Sequence, residues 1–313
     1  AVDANDNVWY TNWLYQQGGV LVKFDQNDYL NSVVNSGEQY LPLIDYIEIY
    51  RLPMTLLTPN GLTVADDGTI WMADTTSSSF FNFNPVTENF VQYVTSDPML
   101  STYGNQTGVV KTPISRPYWI ESDDLGRIVF NEQTANNISV MDPKSQSLVQ
   151  YHVPSKNPNW ADCDPGTGMM LADCGVAQIF DFTIDGEKIW FTEWAENNIG
   201  VVDTSIPLPL EIQLTSTSLT TAPGNSKPID FVVSSLSQKD LLGVSLILSS
   251  THDFLNIELV DAPETFQLDS DAPRPISLVI NTAEDAIPGT YKVLVGAQLS
   301  DVAISKYLTV TIE

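Results

Sequence analysis

Three acids stand at the same place in three short apolar runs. Asp74 ends IWMAD, Glu132 ends IVFNE and Glu193 ends IWFTE, and Asn12 closes the related VWYTN. Polar groups recurring at one position of a repeat have two uses. They cap their own turns and bond to the neighbouring repeat, or they share a rim where oxygen ligands hold a hard cation such as magnesium or calcium. A second set is aromatic: Tyr118, Trp119, Trp160 and Trp194 have the size and polar edges of a surface that stacks on a sugar or apolar ligand, or of ordinary packing. No G-x-S-x-G, H-E-x-x-H, phosphate-loop or dinucleotide motif occurs.

The two cysteines, Cys163 and Cys174, lie in one turn-rich stretch, NWADCDPGTGMMLADCG. Neither histidine, His152 or His252, stands at a metal-ligand spacing from them, so a disulfide is expected rather than a zinc site. It would add about 2–3 kcal/mol by loop entropy and implies an oxidising compartment. Asp162, Asp164 and Asp173 surround the pair without the alternating spacing of a calcium loop. The sequons at Asn105 and Asn137 fit an extracellular or cell-surface location.

Charge narrows the partners. With 39 Asp and Glu against 13 Lys and Arg, a formal net charge of −26, the chain would repel phosphate backbones and anionic lipids, so no nucleic acid is expected. The longest apolar run, LLGVSLIL, is far short of the roughly 18 residues that cross a bilayer. Membrane association is therefore expected only through a part outside this chain.

The elements that position these residues repeat. ANDNVWYTN, DDGTIWMAD, DDLGRIVFNE and DGEKIWFTE each begin at an acidic or Gly turn, and each is followed by a polar turn, a second strand and a third. Trp9, Trp71, Val129 and Trp190 recur about every 60 residues, against roughly 40–45 for simple propeller blades. The excess is insertions, 26–43, 96–115 and 154–177, which would decorate one face. Four short strands per unit predict an all-β fold with four β-propeller blades over residues 1–208. In them Trp9, Trp71 and Trp190 should be equivalent and buried, and helix should be nearly absent. All seven tryptophans precede residue 205; beyond it, close-spaced alternating strands predict an Ig-like β-sandwich over 209–313. LEIQLTST could close the last blade or open the sandwich.

EKIWFTEWAENNIG resembles the repeat of the virginiamycin B lyase, or streptogramin lyase, family, whose blades read roughly P-x-G-I-x-x-D-x-x-G-x-[IV]-W-F-T-E and then N-x-I-G-x-[IV]-D. The resemblance spans residues 1 to about 205 and implies a seven-bladed propeller. It also implies a lyase that opens a cyclic depsipeptide with a His, a Glu and magnesium. The family's histidines open innermost strands in P-H-[AG]-I segments. Here PNGLTV, RPYWIE and AQIFDF put Asn60, Tyr118 and about Ile179 in those places, and none of these shuttles protons near neutral pH as imidazole does. No catalytic residue is therefore assigned. The reading is a secreted or cell-surface binding or scaffold protein with an insertion-rich face, its Ig-like module a spacer or docking unit. The alternatives are a lyase or other metal-dependent enzyme whose catalytic residues lie outside the numbered chain, and a structural subunit of an envelope lattice. Since AVDANDN reads as the tail of an innermost strand, further domains of the polypeptide or a partner surface protein are expected beside the first unit.

Overall fold

A computed structural model describes residues 1–14, 18–99, 114–161, 163, 174–260 and 263–313. Its N-terminal part is a row of antiparallel meanders. The first sheet is β1 (Asn7–Leu14), β2 (Gly18–Asp25) and β3 (Ile47–Arg51). The second is β4 (Pro59–Val64), β5 (Ile70–Asp74), β6 (Ser79–Asn84) and β7 (Asn89–Val94). The third is β8 (Pro117–Ser122), β9 (Ile128–Glu132), β10 (Asn137–Asp142) and β11 (Ser147–His152). The fourth is β12 (Ile179–Asp185), β13 (Lys188–Glu193) and β14 (Asn198–Asp203). Strands follow chain order within each meander, and β8 lies beside both β4 and β12, so these are propeller blades with their first strands innermost. Ahead of β1, Val2 bridges Val8 and the Trp9 N–H donates to the Ala1 carbonyl at 2.8 Å, in the manner of an innermost strand.

Side chains alternate along each second strand between a front face, toward the next sheet, and a rear face. Trp9 packs forward onto Ile70, Met72, Phe81 and Phe83. Trp71 packs forward in a cluster with Ile128, Phe130 and Met141, and Val129 in one with Phe182, Ile189 and Phe191. Each joint buries apolar surface on both sheets, the main stabilising term of the row. Trp190 departs from expectation: Trp9 and Trp71 are each 2% exposed, whereas Trp190 is 40% exposed. Its place in the repeat is the same, but no fifth sheet stands in front of it among the described residues.

One helix also departs from expectation. α1 (Gln26–Ser36) lies in the first insertion and has no buried residue, so no apolar period announces it. It is specified by its ends: the Asp25 side chain accepts from the Asp28 N–H, and Gly37 supplies a left-handed C-cap at φ 72°.

Nine strands follow. β15 (Leu210–Leu214), β16 (Ser218–Thr221), β17 (Ser226–Ser235), β18 (Leu241–Ser250), β19 (Leu255–Val260), β20 (Thr265–Leu268), β21 (Arg274–Thr282), β22 (Gly289–Gln298) and β23 (Val302–Ile312) form two facing layers. One layer runs β15-β17-β21-β19. The other runs β20-β18-β22-β23, with β16 beside β23. Leu210, Phe231, Leu278, Val293 and Leu308 lie in the core they share. LEIQL thus opens this C-terminal unit, by pairing with β17.

The unit is no tethered spacer. β23 pairs antiparallel with β11, from Ser147↔Lys306 to Tyr151↔Val302, so the third blade and a C-terminal layer form one continuous sheet. Tyr307 reaches the second blade as well, its hydroxyl donating to the Val94 carbonyl at 2.8 Å. This covers the outer edge of the third blade, which would otherwise present unpaired N–H and C=O groups.

Candidate functional site

The recurring acids do not form one site. Asp74 is fully buried and accepts from the Thr58 N–H at 2.9 Å, from the Ser77 hydroxyl at 2.9 Å and from both the N–H and the hydroxyl of Thr76. It caps its own turn. Glu132 is fully buried beside the second blade and accepts from the Ser139 hydroxyl and, at 2.8 Å, from Gln150 Nε2. Burial pushes its carboxyl pKa up against the downward pull of the surrounding hydroxyls and amide. Glu193 accepts from Asn198 Nδ2 across the next turn, and Asn12 is exposed. Among the described residues no three His, Cys, Asp or Glu side chains gather as a cation site, so the magnesium or calcium expectation at Asp74, Glu132 and Glu193 is corrected. Each acid serves its own blade instead.

The aromatic residues do converge. Every four-stranded blade, and the fourth sheet too, breaks register in its innermost strand: Pro59↔Asp74, Pro117↔Glu132 and Ile179↔Glu193 pair, and a bulge follows each. A bulge re-aims the side chains it carries. Asn60, Tyr118 and Phe180 therefore occupy one position in three neighbouring strands, which corrects Ile179 to Phe180 as the third member. The Tyr118 and Phe180 rings lie 5.4 Å apart, Phe180 and Trp194 6.0 Å, and Trp194 and Trp160 5.2 Å. Phe180, Trp160 and Trp194 are all exposed, Trp194 by 60%. Trp119 is exposed next to Tyr118 in the bulge of β8, its indole N–H donating to Glu121 at 3.1 Å, and it lies outside these ring contacts.

Three devices hold this rim. Asn131 accepts the N–H of Trp119 that the bulge frees, and its Nδ2 donates to the Ile179 carbonyl, each at 2.7 Å, tying β8 to β12. The Trp194 N–H donates to the Gln178 carbonyl at 3.1 Å. Trp160 sits in a single 3-10 turn, Pro158–Trp160, at the neck of the third insertion. That neck is closed twice: Asn157 and Val176 exchange backbone hydrogen bonds at 3.2 and 3.3 Å, and Cys163 and Cys174 are bridged, with Cα atoms 5.7 Å apart. Gly175 is required there, because a Cβ would meet the Asn157 backbone at 2.6 Å.

Rings in contact with wet outer faces can stack on the C–H face of a sugar or on any apolar plane. The Glu121 carboxylate, bonded to the Trp119 indole, disfavours anions there. Imidazole lies elsewhere. His152 stands in β11 with Nε2 buried and unpartnered and its pKa depressed by burial to about 4, and His252 packs between Phe254 and Tyr291 in the C-terminal unit.

Two other expectations concern asparagines and the cystine loop. Asn137 is 1% exposed, and its amide donates to the Ala135 and Asn136 carbonyls and to His152 Nδ1. An oligosaccharide transferred to it would have nowhere to go, so this sequon is corrected to a buried structural residue. Asn105, Asp162, Asp164 and Asp173 lie outside the described residues.

No family model and no curated protein matches the sequence. Among solved structures, a streptogramin B lyase aligns over 99% of this chain and 78% of its own at 13% identity, with a TM-score of 0.39. A virginiamycin B lyase from Staphylococcus aureus aligns over 89% and 92% at 15% identity, with a TM-score of 0.35. A family 123 glycoside hydrolase from Clostridium perfringens aligns over 34% of this chain and 27% of its own at 10% identity, with a TM-score of 0.28. These distant likenesses concern the course of the chain and say nothing of activity. The blades rest on their own strand order and register.

Proposed function

We propose that this chain is a non-catalytic binding protein of the cell exterior whose aromatic rim stacks on uncharged sugar rings or comparable apolar faces. The observation that carries the reading is the unbroken contact of Tyr118, Phe180, Trp194 and Trp160, from two innermost strands, a turn and an insertion, with Phe180, Trp194 and Trp160 exposed and Tyr118 half-buried. Packing alone would bury such rings, and a polar rim would serve a solvated loop better. The disulfide supports an oxidising location. The lyase alternative has no support at the rim, where Asn60, Tyr118 and Phe180 stand in place of imidazole. The C-terminal strands would act as an Ig-like buttress for the third blade rather than as a spacer.

Tryptophan fluorescence titrated with neutral oligosaccharides and with uronate-containing ones tests this. Saturable quenching by a neutral ligand is expected, weakened by Trp194→Ala by about 1–3 kcal/mol if one ring face is lost, with the uronates weaker. Unchanged fluorescence across the whole neutral panel would reject the reading.

A further inference from the structure

The two ends of the blade row carry the two halves of one joint. Tyr10 in the first sheet holds the rear position that Met72, Phe130 and Phe191 hold in the next three, and each of those is buried in the joint behind it. Tyr10 is 44% exposed, and Ile49, beside it through Val22, is exposed as well. Trp190 in the fourth sheet holds the front position of Trp9, Trp71 and Val129. It lies between Thr183 and Val201 in register, next to Ile199, and both aliphatic residues are exposed. A hollow of about 270 Å³ opens among Thr183, Trp190, Thr192 and Ile199. Since both halves are exposed in one chain, they do not meet within it.

We infer that the front of the fourth sheet docks on the rear of the first sheet of a second copy of this chain. The three internal joints are the precedent: in each, a front-facing aromatic or Val meets a rear-facing aromatic or Met of the following sheet, and Trp190 with Tyr10 repeats that pairing. The fourth sheet is fully formed on its other side, where a Cβ on Gly200 would strike the Phe191 ring at 2.1 Å, so the bare front belongs to a finished sheet. The middle of each face is uncharged, Thr183, Trp190, Thr192, Ile199 and Val201 against Tyr10, Val20, Ile49 and the buried Val22. Asp181 lines the hollow, Lys188 continues the fourth sheet's front between Asp185 and Asp203, and Arg51 stands beside Val20 on the first sheet's rear. α1 does not occupy the place: it covers the Phe24 end, through Tyr29 at 5.5 Å, and leaves Tyr10 and Ile49 exposed. Such a contact is heterologous, and two copies joined reciprocally close a ring with four sheets from each. With a net charge of −26 per copy, self-repulsion opposes docking and added salt strengthens it.

Sedimentation of the full chain over a concentration series, at low and high salt, tests this without reference to any ligand. Self-association that tightens with salt is expected. Trp190→Asp and Tyr10→Asp should each raise the dissociation constant by about thirtyfold or more, the effect of losing a buried aromatic anchor. An equimolar mixture of the two variants should form a one-to-one complex, because one keeps an intact rear and the other an intact front. A wild-type chain that stays monomeric at every salt concentration overturns the inference. So does a Tyr10→Asp chain that associates like wild type, since that marks front-to-front contact, or a mixture that stays monomeric. Thermal melts check that the variants fold. Ile199→Lys and Ile49→Lys, also at exposed positions, replace any that does not.

Discussion

His152 and Glu132 carry opposite proton debts. The folded His152 is neutral down to about pH 4, while an unfolded one takes its proton near 6.5. The unfolded chain therefore binds the extra proton between these values, and stability falls as pH drops from about 6.5 to 4, by up to about 1.4 kcal/mol per pH unit. Urea unfolding across this window should show that slope, and His152→Asn should flatten it. Glu132 has its folded pKa raised, so its contribution is full below the ordinary Glu value and declines as pH rises above it. Glu132→Gln keeps an acceptor for Ser139 and Gln150 and removes the ionisation. It should stabilise the protein near neutral pH, by of the order of 1 kcal/mol, and change little in acid. A variant equally destabilised at both would show that the carboxyl is needed for its bonds alone.

At the level of elements, the rim depends on pieces that are far apart in sequence and locally pinned. Bulges in β8 and β12 aim Tyr118, Trp119 and Phe180, Asn131 joins those strands, and the cystine neck sets Trp160 against Trp194. Replacing Cys163 and Cys174 by Ser should cost about 2–3 kcal/mol of stability in the loop-entropy account. It should also weaken the near-ultraviolet circular dichroism arising from the Trp160–Trp194 pair, while far-ultraviolet strand signal persists. Loss of stability with the tryptophan signal intact would mean that the Asn157–Val176 bridge alone positions Trp160.

Across the whole molecule, the continuous sheet from the third blade into the C-terminal layer makes the two parts one mechanical unit. Tyr307, fully buried among Phe80, Tyr93 and Phe130, closes this junction and bonds to Val94. Tyr307→Phe keeps the ring and orphans the Val94 carbonyl, so a loss of about 1–2 kcal/mol is expected. Calorimetry should still show one transition, because blades and C-terminal strands share a core. Two separate transitions would mean the junction is weaker than its packing implies.

The sequence determined the elements. Turn signals, strand periodicity and the repeat of Trp9, Trp71, Val129 and Trp190 placed the second and third strands of the blades, and the spacing of Cys163 and Cys174 led to a disulfide that the structure contains. These are local properties, written within a few residues. Tertiary structure decided which of the equivalent residues are alike. Trp9 and Trp190 read the same in sequence, yet among the described residues one has a sheet in front of it and the other does not. Asn137 matched a surface motif and proved buried, because β11 and the turn around it close over its amide. Phe180 was missed, since a bulge that shifts register by one residue leaves no mark on composition. The edge-to-edge pairing of β11 with β23 was equally invisible: backbone hydrogen bonds between strands more than a hundred residues apart depend on which edges meet in space, and side-chain patterns along either strand do not encode that meeting.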